Sequence, residues 1–173
     1  MGRGSSKAGG NAVKAKTYAL FHGSPKADIE EFDIEKAGTN TSTGEKFLFF
    51  TDSKEAADDF SYERLPSNVS MIYNERGKKG KVYEVDVTMK KPLDLTNLSD
   101  ADIKNVIKLS DGELDVDMVK RFSKGNNQLL KTYIDLDGIT KYGYDGFIAK
   151  MNNKGVKEYA VVDNKQAKIR KEK

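Results

Sequence analysis

The chain contains no cysteine, and its 173 residues include a single histidine. The first absence excludes disulfides, thiolate nucleophiles and cysteine-ligated zinc or iron–sulfur sites; the second argues against a histidine-rich metal site, so no metal is expected. No apolar run approaches the ~20 residues that span a bilayer, and the N-terminus lacks the apolar stretch of a secretory signal. Neither a membrane partner nor a non-cytoplasmic location is therefore expected. The body of the chain also lacks a surplus of one charge sign. Net charge is +3, but Arg3, Lys7, Lys14 and Lys16 supply four positive charges in the first 16 residues, with no acid among them. Removing those four from +3 leaves the remainder at −1. The high isoelectric point thus reflects a basic tail more than a basic face built for nucleic acid.

The length suits one domain with its own core. Residues 1–15 are Gly, Ser, Ala and Lys with almost nothing to bury, which predicts a disordered basic arm followed by a domain over 16–173. "TYALFHG" (17–23) is a short apolar run ending in turn residues and reads as a buried strand, as does "KFLFFT" (46–51). Between them "ADIEEFDIEKAG" is ambiguous between a helical turn and an extended piece. Asp52 or Ser53 starts a helix that carries Ala56 and Phe60 at i and i+4 and is expected to stop at Pro66. "VSMIYNERG" (69–77) and "KVYEVDVTM" (81–89) read as a hairpin, with Tyr83, Val85 and Val87 alternating against polar neighbours. Two amphipathic helices follow, one with Ile103, Val106 and Ile107, the other with Leu114, Met118 and Phe122. Residues 126–143 suggest a third, which Gly138 could divide; these segments offer core and no obvious chemistry. Strands return in "YDGFIAKM" (144–151), "KEYAVVD" (157–163) and "QAKIR" (166–170). Strands at both ends with helices between predict an α+β fold whose terminal strands meet in space.

Taken singly, each candidate functional residue has an ordinary structural explanation. A lone histidine after a strand is commonly a hydrogen-bonded turn residue. Phe47, Phe49 and Phe50 suit a core, and Glu158 suits a solvated strand end. The combination is more informative: "FHGS" (21–24), "FLFFTDSKEAADDF" (47–60) and "KEYAVVDNKQAKI" (157–169), with "VYEVDV" (82–87) and "YGYDGF" (142–147) between. In this order the set resembles the ADP-ribosyltransferase superfamily, in the diphtheria-toxin and poly(ADP-ribose)-polymerase-like branch whose signature is His, Tyr and Glu on three strands. It is similar to small transferase domains of phage and prophage proteins. The match runs from about Tyr18 to Ile169 and is weakest over the helical segments from about 97 to 135.

The resemblance implies a split mixed β-sheet core with helices between the terminal strands. It implies NAD as substrate, cleavage of the nicotinamide–ribose bond, and transfer of ADP-ribose to an unidentified protein or nucleic-acid acceptor. Glu158 and His22 would be the catalytic residues, Glu158 as the carboxylate and His22 as a positioning donor to the adenosine-side ribose, while the Gly23 backbone would bind the nicotinamide amide, with Ser24 also at the cofactor. Phe49 and Phe60 would sandwich the nicotinamide ring. The chemistry is consistent with an acid at that place, since bond cleavage generates an oxocarbenium-like centre that a carboxylate stabilises. Three departures stand out. The signature tyrosine is Phe49, which keeps a ring and loses a hydroxyl. A serine common three residues before the stacking aromatic is Ala57. The position two before the catalytic glutamate is Val156, which gives arginine as acceptor no support. Two further readings remain open: a module that binds NAD or ADP-ribose without turnover, favoured by Phe49 and Ala57, and a phage structural or nucleic-acid-associated protein acting through its basic arm.

Overall fold

The computed structural model describes residues 14–37, 46–66, 68, 76–151 and 154–171. All but the last two residues of the expected arm therefore lie outside the described residues. A seven-stranded mixed sheet organises the rest, in the order β4-β5-β6-β2-β1-β3-β7. In chain order the strands are β1 (Lys16–Ser24), β2 (Leu48–Thr51), β3 (Lys81–Met89), β4 (Leu93–Asp94), β5 (Gly146–Lys150), β6 (Lys157–Val161) and β7 (Ala167–Ile169). Helix α1 (Lys54–Phe60) follows β2, and α2 (Asp100–Leu109), α3 (Val116–Lys124), α4 (Gln128–Lys131) and α5 (Leu136–Lys141) lie between β4 and β5. The class is α+β, as the pattern of segments predicts.

Alternation along the strands divides the core between the two faces of the sheet. On β2, Leu48 and Phe50 join Leu20, Val85, Val87, Ile148, Tyr159 and Val161 on one face, covered by Phe32 from the segment after β1. Phe47, Phe147, Ala149 and Ala160 belong to the other face, where Ile103, Val106, Val119, Leu130 and Ile139 of the helices pack, with Phe49 against them. Burying this apolar surface at about 25 cal/mol per Å² is what holds sheet and helices together.

The sheet is split along its middle. β1 pairs with β3 at nine successive positions, from Lys16↔Met89 to Ser24↔Lys81. With β2 it pairs only at Phe21↔Thr51. The half β7-β3-β1 therefore diverges from the half β2-β6-β5-β4. β1 and β7 flank β3 on its two sides, so the terminal strands come together through β3.

Four details differ from the sequence reading. α1 does not run to Pro66: Ser61 caps it, its hydroxyl donating to the Asp58 carbonyl, and Tyr62 then bridges to Lys79 in extended backbone. β3 takes β1 and β7 as partners, while residues 69–75 of the expected hairpin strand lie outside the described residues. The segment 126–143 is two helices, broken at Thr132–Asp135 and not at Gly138. Asp135 caps α5 by accepting from the Gly138 amide, which keeps Gly138 inside the helix. β4, two residues long and parallel to β5, had no alternation to announce it. The ambiguous segment after β1 contains a 3-10 turn at Ile34–Lys36.

Candidate active site

Glu158 lies on β6 between Thr51 of β2 and Ala149 of β5. Paired residues of neighbouring strands share a face, and two steps along β6 the row is Phe49, Ala160, Phe147. The carboxylate and the Phe49 ring thus project from the same side of the sheet, toward the helices. Glu158 is only 7% exposed. An unpaired carboxylate buried so far would be destabilising by several kcal/mol. Here α4 supplies the partners: Lys131 Nζ reaches Oε1 at 2.5 Å and Gln128 Nε2 reaches it at 2.9 Å. Residues i and i+3 of a helix face the same way, so one turn delivers both donors.

The donors are themselves located. Gln128 Nε2 also donates to the Lys150 carbonyl on β5. The Lys131 ammonium stands over the rings of Phe49 and Phe147, 5.5 and 5.9 Å from their centroids, a favourable cation–π arrangement. Just before α4, Asn127 is fully buried; its Oδ1 accepts from the Lys150 amide at 2.9 Å, while its Nδ2 has no partner. α4 is thereby fastened across the ends of β5 and β6, with Leu130 in the core.

His22 is on β1 at the split, on the opposite face. Its Nδ1 lies 2.8 Å from the Phe49 carbonyl, which can only accept, so Nδ1 carries the proton. The ring packs edge-on against Phe32 at 5.0 Å and tilted against Phe50 at 5.6 Å. Burial lowers its pKa from 6.5, and the bond to Phe49 offsets part of that shift. The imidazole is therefore neutral at pH 7, with Nε2 as an acceptor. It ties β1 to β2 one residue beyond their single paired position.

Gly23 faces α1. A Cβ built there would stand 1.7 Å from the Ala57 carbonyl oxygen and 3.0 Å from the Ser61 amide nitrogen, so no other residue allows this approach. Ser53 caps the helix by accepting from the Ala56 amide. Ser24 is buried, its hydroxyl accepting from the Lys26 amide. Phe60, the last residue of α1, is 51% exposed.

Of the sequence candidates, Phe49 is the one that connects the others: its carbonyl holds His22, and its ring shares Lys131 with Glu158. Its ring is packed against Phe47 and Phe147 at 6.1 Å each. Gly23 and Phe60 are both placed at α1, Gly23 against the Ala57 carbonyl and Phe60 as the helix's last residue. Among the described residues no ring contact joins Phe60 to Phe49. The sequence gives no sign of Gln128 and Lys131 at the site: the segment reads as core without chemistry, and their 30- and 27-residue separations from Glu158 leave no local signal.

Among the described residues no helix is long and apolar enough to cross a membrane, and no group of three or more His, Asp or Glu side chains is arranged for a metal ion. No curated protein matches the chain. A solved structure described as the crystal structure of an anti-CRISPR protein is similar over 93% of this chain and 100% of that one, at 15% identity and a TM-score of 0.45, a likeness too distant to bear on function. Residues 15–173 match the family described as ADP-ribosyltransferase in polyvalent proteins, and the chain belongs to that family.

Proposed function

We propose that this protein cleaves the nicotinamide–ribose bond of NAD⁺ and transfers ADP-ribose to a macromolecular acceptor, a protein or nucleic acid, with Glu158 as the catalytic carboxylate. The observation that carries the reading is Glu158 itself: an acid on β6, buried beside Phe49 on the face of the split sheet, in a chain of an ADP-ribosyltransferase family. In the reaction the glycosidic electron pair leaves with the pyridinium nitrogen, giving neutral nicotinamide and a ribose carbon with oxocarbenium character. The acceptor's lone pair then bonds that carbon, and its proton passes to Glu158 or to solvent. A carboxylate ~4 Å away at an effective dielectric of ~20 contributes ~4 kcal/mol, about three decades in rate if the attraction is realised only in the transition state.

Binding falls to the groups around the split. Neutral His22 offers Nε2 as an acceptor, so a ribose hydroxyl would donate to it, while the Gly23 backbone would meet the nicotinamide amide at α1. The exposed ring of Phe60 would cover the nicotinamide from that helix, with Ser24 beside Gly23. The His-Tyr-Glu pattern would then run here as His22, Phe49 and Glu158. A second reading, recognition of NAD⁺ without turnover, is favoured by the Lys131 ammonium on Glu158, which offsets the carboxylate's field, and by the missing hydroxyl at Phe49.

The test follows free nicotinamide from NAD⁺ alongside an NAD⁺ binding titration, for wild type, Glu158→Gln and His22→Ala. Release by wild type that falls about a thousandfold in Glu158→Gln, in line with the ~4 kcal/mol above, is the expected result. Binding without release would favour recognition alone, and absence of both would overturn either reading.

A further inference from the structure

We infer that Gln128 and Lys131 are positioning residues of Glu158, so that the helical segment before β5, and not the strands alone, completes the carboxylate. This rests on the proposed role of Glu158.

Both donors converge on one oxygen, Oε1, at 2.9 and 2.5 Å. Neither is given to Oε2, so the carboxylate is anchored through one oxygen. The anchors have their own supports. Gln128 spans two strands, bonding Glu158 on β6 and the Lys150 carbonyl on β5. The Lys131 ammonium is located by a carboxylate and two ring faces at once. Asn127 ties the start of α4 to the Lys150 amide, and Leu130 sinks into the core between the two donors.

A glutamate side chain left to itself populates several rotamers. Two nitrogen donors held on one helical turn remove that rotamer freedom. The cation weakens the carboxylate's field at a substrate, so the benefit is orientation. The arrangement acts through Glu158 and needs no contact with substrate.

The test is a double-mutant cycle on nicotinamide release by the full-length protein, with kcat and KM for NAD⁺ measured separately. Lys131→Met is expected to lower kcat on the order of 10–100-fold, the usual effect of a misplaced catalytic group, with KM little changed. Lys131→Arg is expected to recover most of that loss. In the Glu158→Gln background, Lys131→Met is expected to cost nothing further, because both changes act on one group. Should Lys131→Met fail to fold, Gln128→Leu carries the same cycle, since it removes one donor and leaves the ammonium.

A rise in kcat in Lys131→Met would mean that α4 obstructs the carboxylate and would overturn the inference. So would a full additional loss in the Glu158→Gln background. Wild-type release that depends on Glu158 but is indifferent to Lys131 and Gln128 would overturn the inference alone. No release from wild type would remove the reading on which it rests.

Discussion

His22 does two things through its two ring nitrogens. Nδ1 donates to the Phe49 carbonyl across the split, and Nε2 is left as an acceptor on a ring wedged between Phe32 and Phe50. Because burial lowers the folded-state pKa below the ordinary 6.5, the unfolded chain takes up the proton first as pH falls. The unfolded state then binds more protons, so stability declines with falling pH below about 6.5 and is fully retained above it. His22→Asn keeps a donor near the Nδ1 position and does not titrate. Urea unfolding midpoints from pH 8 to 5 are expected to fall more steeply in wild type than in this variant below pH 6.5. Parallel curves would mean that the imidazole protonates equally well in both states.

At the scale of elements, α1 and α4 are docked to the sheet by different means. α1 closes on β1 because Gly23 has no side chain, and its backbone carbonyl at Ala57 occupies the space a Cβ would need. Backbone gives way only if the whole helix shifts. Gly23→Ala is therefore expected to destabilise by about 1–3 kcal/mol or more, as overpacking of a close contact does, and to weaken NAD⁺ binding through the displaced Phe60. A thermal melt within one degree of wild type would contradict that packing. α4 is too short to be stable on its own. Its place depends on Leu130 in the core and on the polar contacts of Asn127, Gln128 and Lys131 with β5 and β6. A four-residue helix of this kind takes its orientation from the strands beneath it.

For the molecule as a whole, the last strand is what closes one edge. β7 pairs with Val85 and Val87, both fully buried, and Arg170 forks onto Asp86 Oδ1 with Nε and Nη2 at 2.9 and 2.6 Å. The ion pair is half exposed, so its own contribution is small. Covering β3 is the larger effect, since an uncovered apolar edge strand is a template for pairing with another chain. A chain ending at Asp163 also loses Gln166, which bonds the Asp145 carbonyl at 2.8 Å. Size-exclusion chromatography of that truncation is expected to show self-association or aggregation. A monomer with an unchanged melt would show that β3 tolerates an open edge.

Much of this was legible along the chain because the information was local. The alternation of Tyr83, Val85 and Val87 announces β3 and its buried face, Ser53 starts α1, and the spacing of Ile103 and Val106 or of Met118 and Phe122 marks the helices that cover the sheet. The strand-ending run with His22, the run with Phe49 and the strand with Glu158 point to the ADP-ribosyltransferase superfamily from residues that stand close together in each segment. What only the tertiary structure decided are the meetings between distant segments. Nothing in "NNQLLKT" separates a helix that merely buries Leu130 from one that sets Gln128 and Lys131 on a carboxylate about thirty residues later. Nor does the sequence reveal that β3 lies between β1 and β7, or that β1 and β2 touch at one pair and leave His22 to hold the split. Periodicity records which face of an element is buried; what that face meets depends on how all the faces are satisfied at once.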